Sequence, residues 1–229
     1  MFLSIFANQV DDGYGTLIYS LTPAGYLALV AIMIVLLLLA AFISGEKAGK
    51  KSPFNTKQLV FAALAIALAM VTSFLKLFEM PMGGSVTLFS MLFITLIGYW
   101  YGPKIGIVTS IAYGFLQLIV DPYILSIPQM LVDYIFAFGA LGLSGFFSHS
   151  KNGLLKGYVA GVLGRFVFAV LSGVIFFASY AEGSGMSPLV YSVAYNGSYL
   201  AAEAALTIVL MLLPPVKNAI NQVKKLALS

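Results

Sequence analysis

Asp133 is the one charge in the run IPQMLVDYIFAF (127–138), which is otherwise dominated by Ile, Leu, Val and Phe. A carboxylate in the middle of a membrane helix costs about 2.5–3.5 kcal/mol on insertion scales, so such a group faces a cavity or a partner rather than lipid. Arg165, Asn196 and Glu203 pose the same problem in later apolar runs. Their neighbours fall at helical spacing. Ser192, Asn196, Tyr199 and Glu203 recur at i, i+4, i+7 and i+11, and Ser126, Gln129 and Asp133 at i, i+3 and i+7. Tyr113 and Gln117 are four apart; Arg165, Ser172 and Ser179 step by seven, with Gly173 and Phe177 alongside. Each set is one stripe along a helix. Four polar-aromatic stripes turned inward would enclose a binding pocket. At ~1.5 Å per residue, Asp133 and Asn196 each lie about 10 Å from the outer ends of their segments, which places the pocket in the outer half. Asp133, beside Tyr134, reads as facing a ligand. Glu203 and Arg165 read equally well as a structural ion pair or network holding helices together.

Catalytic sets do not emerge. The chain has no Cys and a single His, His149, so no cluster has metal-ligand spacing. GEKAGKKS (45–52) has its glycines four apart and fails the phosphate-loop pattern. An enzyme inside a membrane would need a nucleophile or metal set, and none is visible. The expectation is a binding or transport protein with no cofactor, no catalytic residue and no metal.

The elements that must position these residues follow from composition. Hydrophobic residues make up 61% and charged residues 9%, with a mean hydropathy of +1.00. Soluble domains have about 25% charged residues. An all-α, polytopic membrane protein is expected, too short at 229 residues for a soluble domain besides. The cleanest span is 23–44, followed by a basic loop; six more fall near 58–78, 87–101, 104–121, 126–147, 154–180 and 189–213. Gly and Pro punctuate them at MPMGG, YGPK, DPYILSIP, AEGSGMSP and LPP. Residues 1–56 form an N-terminal segment with an extra helix, and 57–229 a six-helix domain. The first residues lack a basic stretch and do not read as a cleavable signal.

Lys47, Lys50, Lys51, Lys57, Lys104, Lys151, Lys156, Lys217, Lys224 and Lys225 fall on one side of this threading. The net charge of +4 is therefore topology, not nucleic-acid affinity. The Lys-rich side is cytoplasmic, with the N-terminus outside and the C-terminus inside. The tail VKNAINQVKKLALS is basic and mildly amphipathic, as a helix end on an anionic leaflet would be. Trp100 beside the YGPK turn reads as an interfacial belt residue. Ala63-x-x-x-Ala67 and Ala65-x-x-x-Ala69 would let a second helix approach closely, while Gly139, Gly142 and Gly145 read as packing inside the bundle.

Several motifs in order, GGSVTLFSM (83–91), YWYGPKIG (99–106), YGFLQLIVDPYIL (113–125), PQMLVDYIFAFGALGLSG (128–145), GRFVFAVLSGVIFFASYA (164–181) and PLVYSVAYNGSY (188–199), resemble the thiamin-specific substrate-binding (S) components of energy-coupling factor (ECF) transporters. The resemblance covers roughly residues 57–213. It implies a six-helix bundle in the bacterial cytoplasmic membrane that takes thiamin from outside. Delivery inward would require a transmembrane coupling (T) component and two cytoplasmic ATPases. The helix bearing Ala63, Ala65, Ala67 and Ala69 would meet the T component. Carried over position by position, the family pocket implies Asp133, Tyr134, Tyr191, Asn196, Arg165, Gly173 and Phe177, with Gly83, Gly84 and Ser85 as a lid. Asp133 would be the counter-charge to the thiazolium and Asn196 would meet the aminopyrimidine edge. The chain departs from the pattern at Ala169, where the family usually has histidine, and at Phe177, since its sole Trp is Trp100. The rivals are an S component for another vitamin or a thiamin precursor, a stand-alone ion-coupled secondary carrier using Asp133, Glu203 and Arg165, and a membrane scaffold without a ligand.

Overall fold

The computed structural model describes residues 3–11, 15, 17–28, 30, 31 and 55–229. Most of the span expected at 23–44 lies outside the described residues, as do Lys47, Lys50 and Lys51. Within them, 23–28 are helical and come after an antiparallel hairpin of β1 (Ala7–Asp11) and β2 (Leu17–Leu21).

The bundle begins where Asn55 starts α1 (Thr56–Ser73). Its side chain accepts from the Gln58 amide at 2.8 Å, and Gln58 returns a bond to the Asn55 amide at 2.9 Å, a reciprocal capping box. The chain then leaves the helix earlier than expected. Residues to 78 do not continue the span but form β3 (Lys76–Glu79), which pairs with β4 (Ser85–Thr87) across the turn Pro81–Gly83. Helix α2 (Ser90–Tyr101) follows, and Gly102, at φ +88, turns the chain into α3 (Pro103–Val120), with proline at the first helical position. Helix α4 (Ile127–Phe147) opens on a Ser126 cap, widens into a π-helical turn over Leu131–Phe136 and tightens to 3-10 geometry over Ala140–Phe147. Helices α5 (Gly153–Phe176), α6 (Pro188–Leu212) and α7 (Pro214–Leu228) complete the chain.

Among the described residues α1, α3, α4, α5 and α6 are long and apolar enough to cross a membrane. At 12 residues α2 reaches only about 18 Å, and the β3–β4 hairpin leads into it. The fold is thus mostly helical, with two short hairpins that period-based reading of apolar runs did not anticipate. Leu59, Leu64, Leu68, Leu163, Val167, Leu171, Ile175 and Val209 are exposed on the outer faces. An apolar outside around polar stripes turned inward is the distribution of a multi-pass membrane protein.

Close backbone approach holds the centre together. A Cβ on Gly142 would sit 2.4 Å from the Ile107 amide, and one on Gly145 2.4 Å from the Gly102 carbonyl carbon. Gly139 is looser, meeting only Ile111 side-chain atoms at 3.2 Å. Trp100 is not in an interfacial belt: it is 9% exposed and packs edge-on against Phe61, 6.1 Å between centroids. On α1, Ala65 and Ala69 are buried in the bundle's own core, so the small-residue surface a partner could reach is reduced to Ala63 and Ala67, both exposed. At the Lys-rich end α7 folds back. Lys224 donates to Tyr99 Oη at 2.9 Å and lies over its ring, Tyr101 donates to the Ala227 carbonyl, and Lys57 reaches Ser229.

Candidate functional site

At the opposite end, a cavity of about 340 Å³ opens between α3, α4, α5, α6 and the β3–β4 hairpin, within the usual size range of small-molecule sites. All ten substrate-binding residues expected from the sequence line it: Asp133, Tyr134, Tyr191, Asn196, Arg165, Gly173, Phe177, Gly83, Gly84 and Ser85. Ala169 does too.

Each of them is held by its neighbours in a definite way. The Asp133 carboxylate rides on the π turn of α4, where an extra residue per turn re-aims side chains. It accepts from Gln129 Nε2 at 2.6 Å. Gln129, 1% exposed, also donates to the Tyr123 carbonyl at 3.1 Å and accepts from the Leu125 amide at 2.9 Å, so its amide is fixed from both ends. Tyr134 gives the cavity its ring only. Its hydroxyl donates to the Asp121 carbonyl and accepts from the Tyr123 amide, both at 2.8 Å, which pins the loop after α3. Arg165 lies over the Phe138 ring at 4.2 Å and makes no ion pair among the described residues.

Glu203 does not pair with Arg165. Its carboxylate, 2% exposed, accepts from the Thr87 amide at 2.9 Å, the Thr87 hydroxyl at 2.8 Å and Ser90 at 3.3 Å. It therefore fastens the base of the β3–β4 hairpin to α6 and ties it to the Ser90 hydroxyl at the start of α2. Phe89, left-handed at φ +63 despite its bulk, makes the sharp bend between them. The hairpin tip is held from the same helix: Tyr195 Oη accepts from the Gly84 amide at 2.9 Å and donates to the Pro81 carbonyl. A Cβ on Gly84 would lie 2.8 Å from Tyr195 Oη and Tyr199 Cδ1, so glycine permits the seat.

Asn196 Nδ2 donates to the Ser192 carbonyl at 3.0 Å, and its Oδ1 accepts from Tyr199 at 2.9 Å. Gly173 lets α5 and α6 close up beside it, since a Cβ there would be 2.0 Å from Ser192 Oγ. Phe177 stacks obliquely between Tyr123 and Tyr180, at 5.8 and 5.5 Å, and the Tyr191 ring is parallel to Tyr195 at 6.1 Å. The Ser172 hydroxyl is buried, lines the cavity beside the Asp133 carboxylate and makes no protein hydrogen bond of standard geometry. Gln129, Ser172 and Glu203 line the cavity from the inward stripes read in the sequence, without being among the expected substrate-binding residues, and Tyr195 is on no stripe. The i+4 spacing from Gln129 to Asp133 was the available signal for the first. The hairpin contacts of Tyr195 and Glu203 depend on chain crossing that spacing does not encode.

Outside the membrane-spanning segments, Lys76 bridges Glu79 at 2.7 Å and Asp121 at 3.5 Å at the mouth. The Glu79 hydrogen bond raises its pKa further than burial lowers it, and Asp121 adds to the rise. Counting formal charges, the lining has Asp133, Glu203, Glu79 and Asp121 against Arg165 and Lys76, two more acidic than basic groups. In a chain of net charge +4, that reversal, together with the Tyr and Phe faces, suits a small aromatic cation.

Comparisons with known proteins point the same way. A family profile described as Thiamine transporter protein (Thia_YuaJ) matches residues 59–222. The thiamine transporter ThiT of Bacillus subtilis (strain 168) is 34% identical over 155 residues, covering 62% of this chain and 79% of that protein. The solved structure of ThiT from Listeria monocytogenes superposes with a TM-score of 0.56 at 22% identity, over 69% of this chain and 94% of that one. The last match is a likeness of fold.

Proposed function

Because the chain belongs to the thiamine transporter protein family, we propose that it is the S component of an ECF transporter, which captures thiamin in the cavity and passes it inward. The observation that carries the vitamin is the acidic, aromatic-walled cavity with Asp133 fixed by Gln129. Thiamin has a permanent positive charge on an aromatic ring. A desolvated carboxylate and ring faces each attract such a cation, the faces by up to about 2 kcal/mol. Asn196 retains acceptor capacity at Oδ1 toward an aminopyrimidine. The cavity mouth faces outward and the Lys-rich end, with α7, faces the cytoplasm.

A T component and two ATPases supply the movement in this reading. The ion-coupled carrier is less well supported, since Ile94, Ile97, Leu141 and Tyr158 fill the bundle beyond Glu203 with fully buried side chains. Isothermal titration of thiamin into the purified protein tests the assignment. Stoichiometric binding supports it, and absence of heat from a folded sample refutes it.

Two further outcomes are expected. Ser172→Ala should weaken thiamin binding about three- to tenfold, the worth of one hydrogen bond, while the melting temperature of the empty protein changes little because no well-formed protein hydrogen bond is lost. Equal affinity would remove Ser172 from the contact set. Leu at both Ala63 and Ala67 should abolish co-purification with the T component and leave thiamin titration unchanged. Undiminished co-purification would place the partner surface elsewhere.

A further inference from the structure

We propose that the N-terminal β1–β2 hairpin, which precedes the family-matched region, is a positioning element of the binding site. The ligand readout rests on the thiamin reading above; the structural readout does not. The Tyr19 amide donates to the Ile124 carbonyl at 2.6 Å, so β2 adds itself as an edge to the loop after α3. Ile124 is 8% exposed, so its carbonyl is in a place where an unpaired acceptor is costly. That loop is a wall of the cavity: Asp121, Pro122 and Tyr123 line it, and Tyr123 packs against Phe177. From the inside, Tyr134 and Gln129 hold the same loop by its backbone. The hairpin holds it from the outside. Among the described residues none of β1 or β2 lines the cavity, so its influence passes through the loop.

The hairpin is itself fixed to the helical segment 23–28 behind it. The Thr22 amide donates to the Phe6 carbonyl at 3.0 Å, and Thr22 Oγ1 accepts from the Gly25 amide at 3.1 Å. A Cβ on Gly25 would lie 1.9 Å from the Phe6 carbonyl oxygen, so only glycine allows that segment to seat against the hairpin. The chain ahead of the bundle thereby carries a β-edge to the mouth of the site.

Tyr19→Pro isolates the contact. In an antiparallel ladder a residue whose N–H points away from its partner strand makes no ladder bond through it, and Tyr19, opposite Gln9, directs its N–H to Ile124. Proline on the outward N–H side of an edge strand is tolerated. Tyr19→Phe keeps the amide and is the control. Full-length protein in nanodiscs is followed by hydrogen exchange without ligand and by release of prebound labelled thiamin into excess unlabelled thiamin. In Tyr19→Pro, amide exchange at Tyr123 and Leu125 should rise and thiamin release should quicken, each about three- to tenfold, with Tyr19→Phe like the parent. Deletion of residues 3–21 should do the same, which guards against a proline that merely reshapes the hairpin. Exchange and release within twofold of the parent in both variants would overturn the proposal. If the parent binds no thiamin yet exchange still responds, the positioning role stands and the vitamin assignment falls.

Discussion

Asp133→Asn should lower thiamin affinity by about 2–5 kcal/mol, roughly thirtyfold to several thousandfold, with little change in fold stability. The substitution is nearly isosteric, and the new amide can present its oxygen to Gln129 Nε2, now 2.6 Å from the carboxylate. The scaffold of Gln129, Tyr123 and Leu125 is kept while the charge is removed. The cation would then face Phe and Tyr rings and no carboxylate of its own, because Glu203 is committed to Thr87 and Ser90, and Glu79 and Asp121 to Lys76 at the mouth. Titration calorimetry reads the affinity, and a thermal melt in the same detergent checks the fold. Unchanged affinity would transfer the counter-ion role away from Asp133 and, with it, the reason for placing a carboxylate in IPQMLVDYIFAF.

Gly173→Ala is the other change with a large expected effect, and it acts through volume. The added Cβ would stand 2.0 Å from Ser192 Oγ, 2.9 Å from Ser192 Cβ and 3.5 Å from Asn196 Nδ2. A rotamer change can move the hydroxyl, but Ser192 Cβ is part of α6 and cannot swing away. Overpacking of this kind costs about 1–3 kcal/mol, and here it separates α5 from α6 at the level of Asn196. We expect a lower melting temperature and at least tenfold weaker thiamin binding, a displaced binding wall adding to the strain. Ser192→Gly in the same chain removes both close atoms but adds a helix-interior glycine and loses the Ser192–Val170 hydrogen bond, so the double variant should be more stable than the sum of the two single losses predicts. Losses that simply add would show that the clash is not what matters.

The sequence was most legible where one helix suffices to make the argument. The stripes ending in Asp133 and Glu203, and the small residues at Gly142 and Gly145, follow from a period of 3.6, and the structure turns them inward together. Asp133, Arg165, Asn196, Gly173 and Phe177 lie on or beside the polar stripes, whereas Tyr191 and the lid residues Gly83, Gly84 and Ser85 came from the ordered motifs alone. What remained hidden lies between segments. Leu77 and Phe78 look like the end of an apolar span, yet tertiary pairing with Ser85–Thr87 makes them strand. Arg165 and Glu203 suggested each other as opposite charges, but which charge meets which depends on how α5 and α6 are rotated. Ala65 and Ala69 share a motif with Ala63 and Ala67 only on paper: positions two apart on a helix point about 200° from each other, so one pair faces the core and the other the surface.

The β3–β4 hairpin is bound to α6 twice, at its tip through Tyr195 and at its base through Glu203. These fastenings differ in strength, for bonds to an ionised carboxylate exceed neutral ones. A door hung this way swings on its base. Opening would break the Tyr195 bonds and pivot at the base, where Thr87 stays latched to Glu203, while Gly83, with its φ of +92 and open surroundings, travels with the tip. In the proposed S component such a hinge would gate capture, its rate following how often the tip lifts as well as diffusion. The same gate would govern escape, so a vitamin scarce outside the cell would be retained once caught.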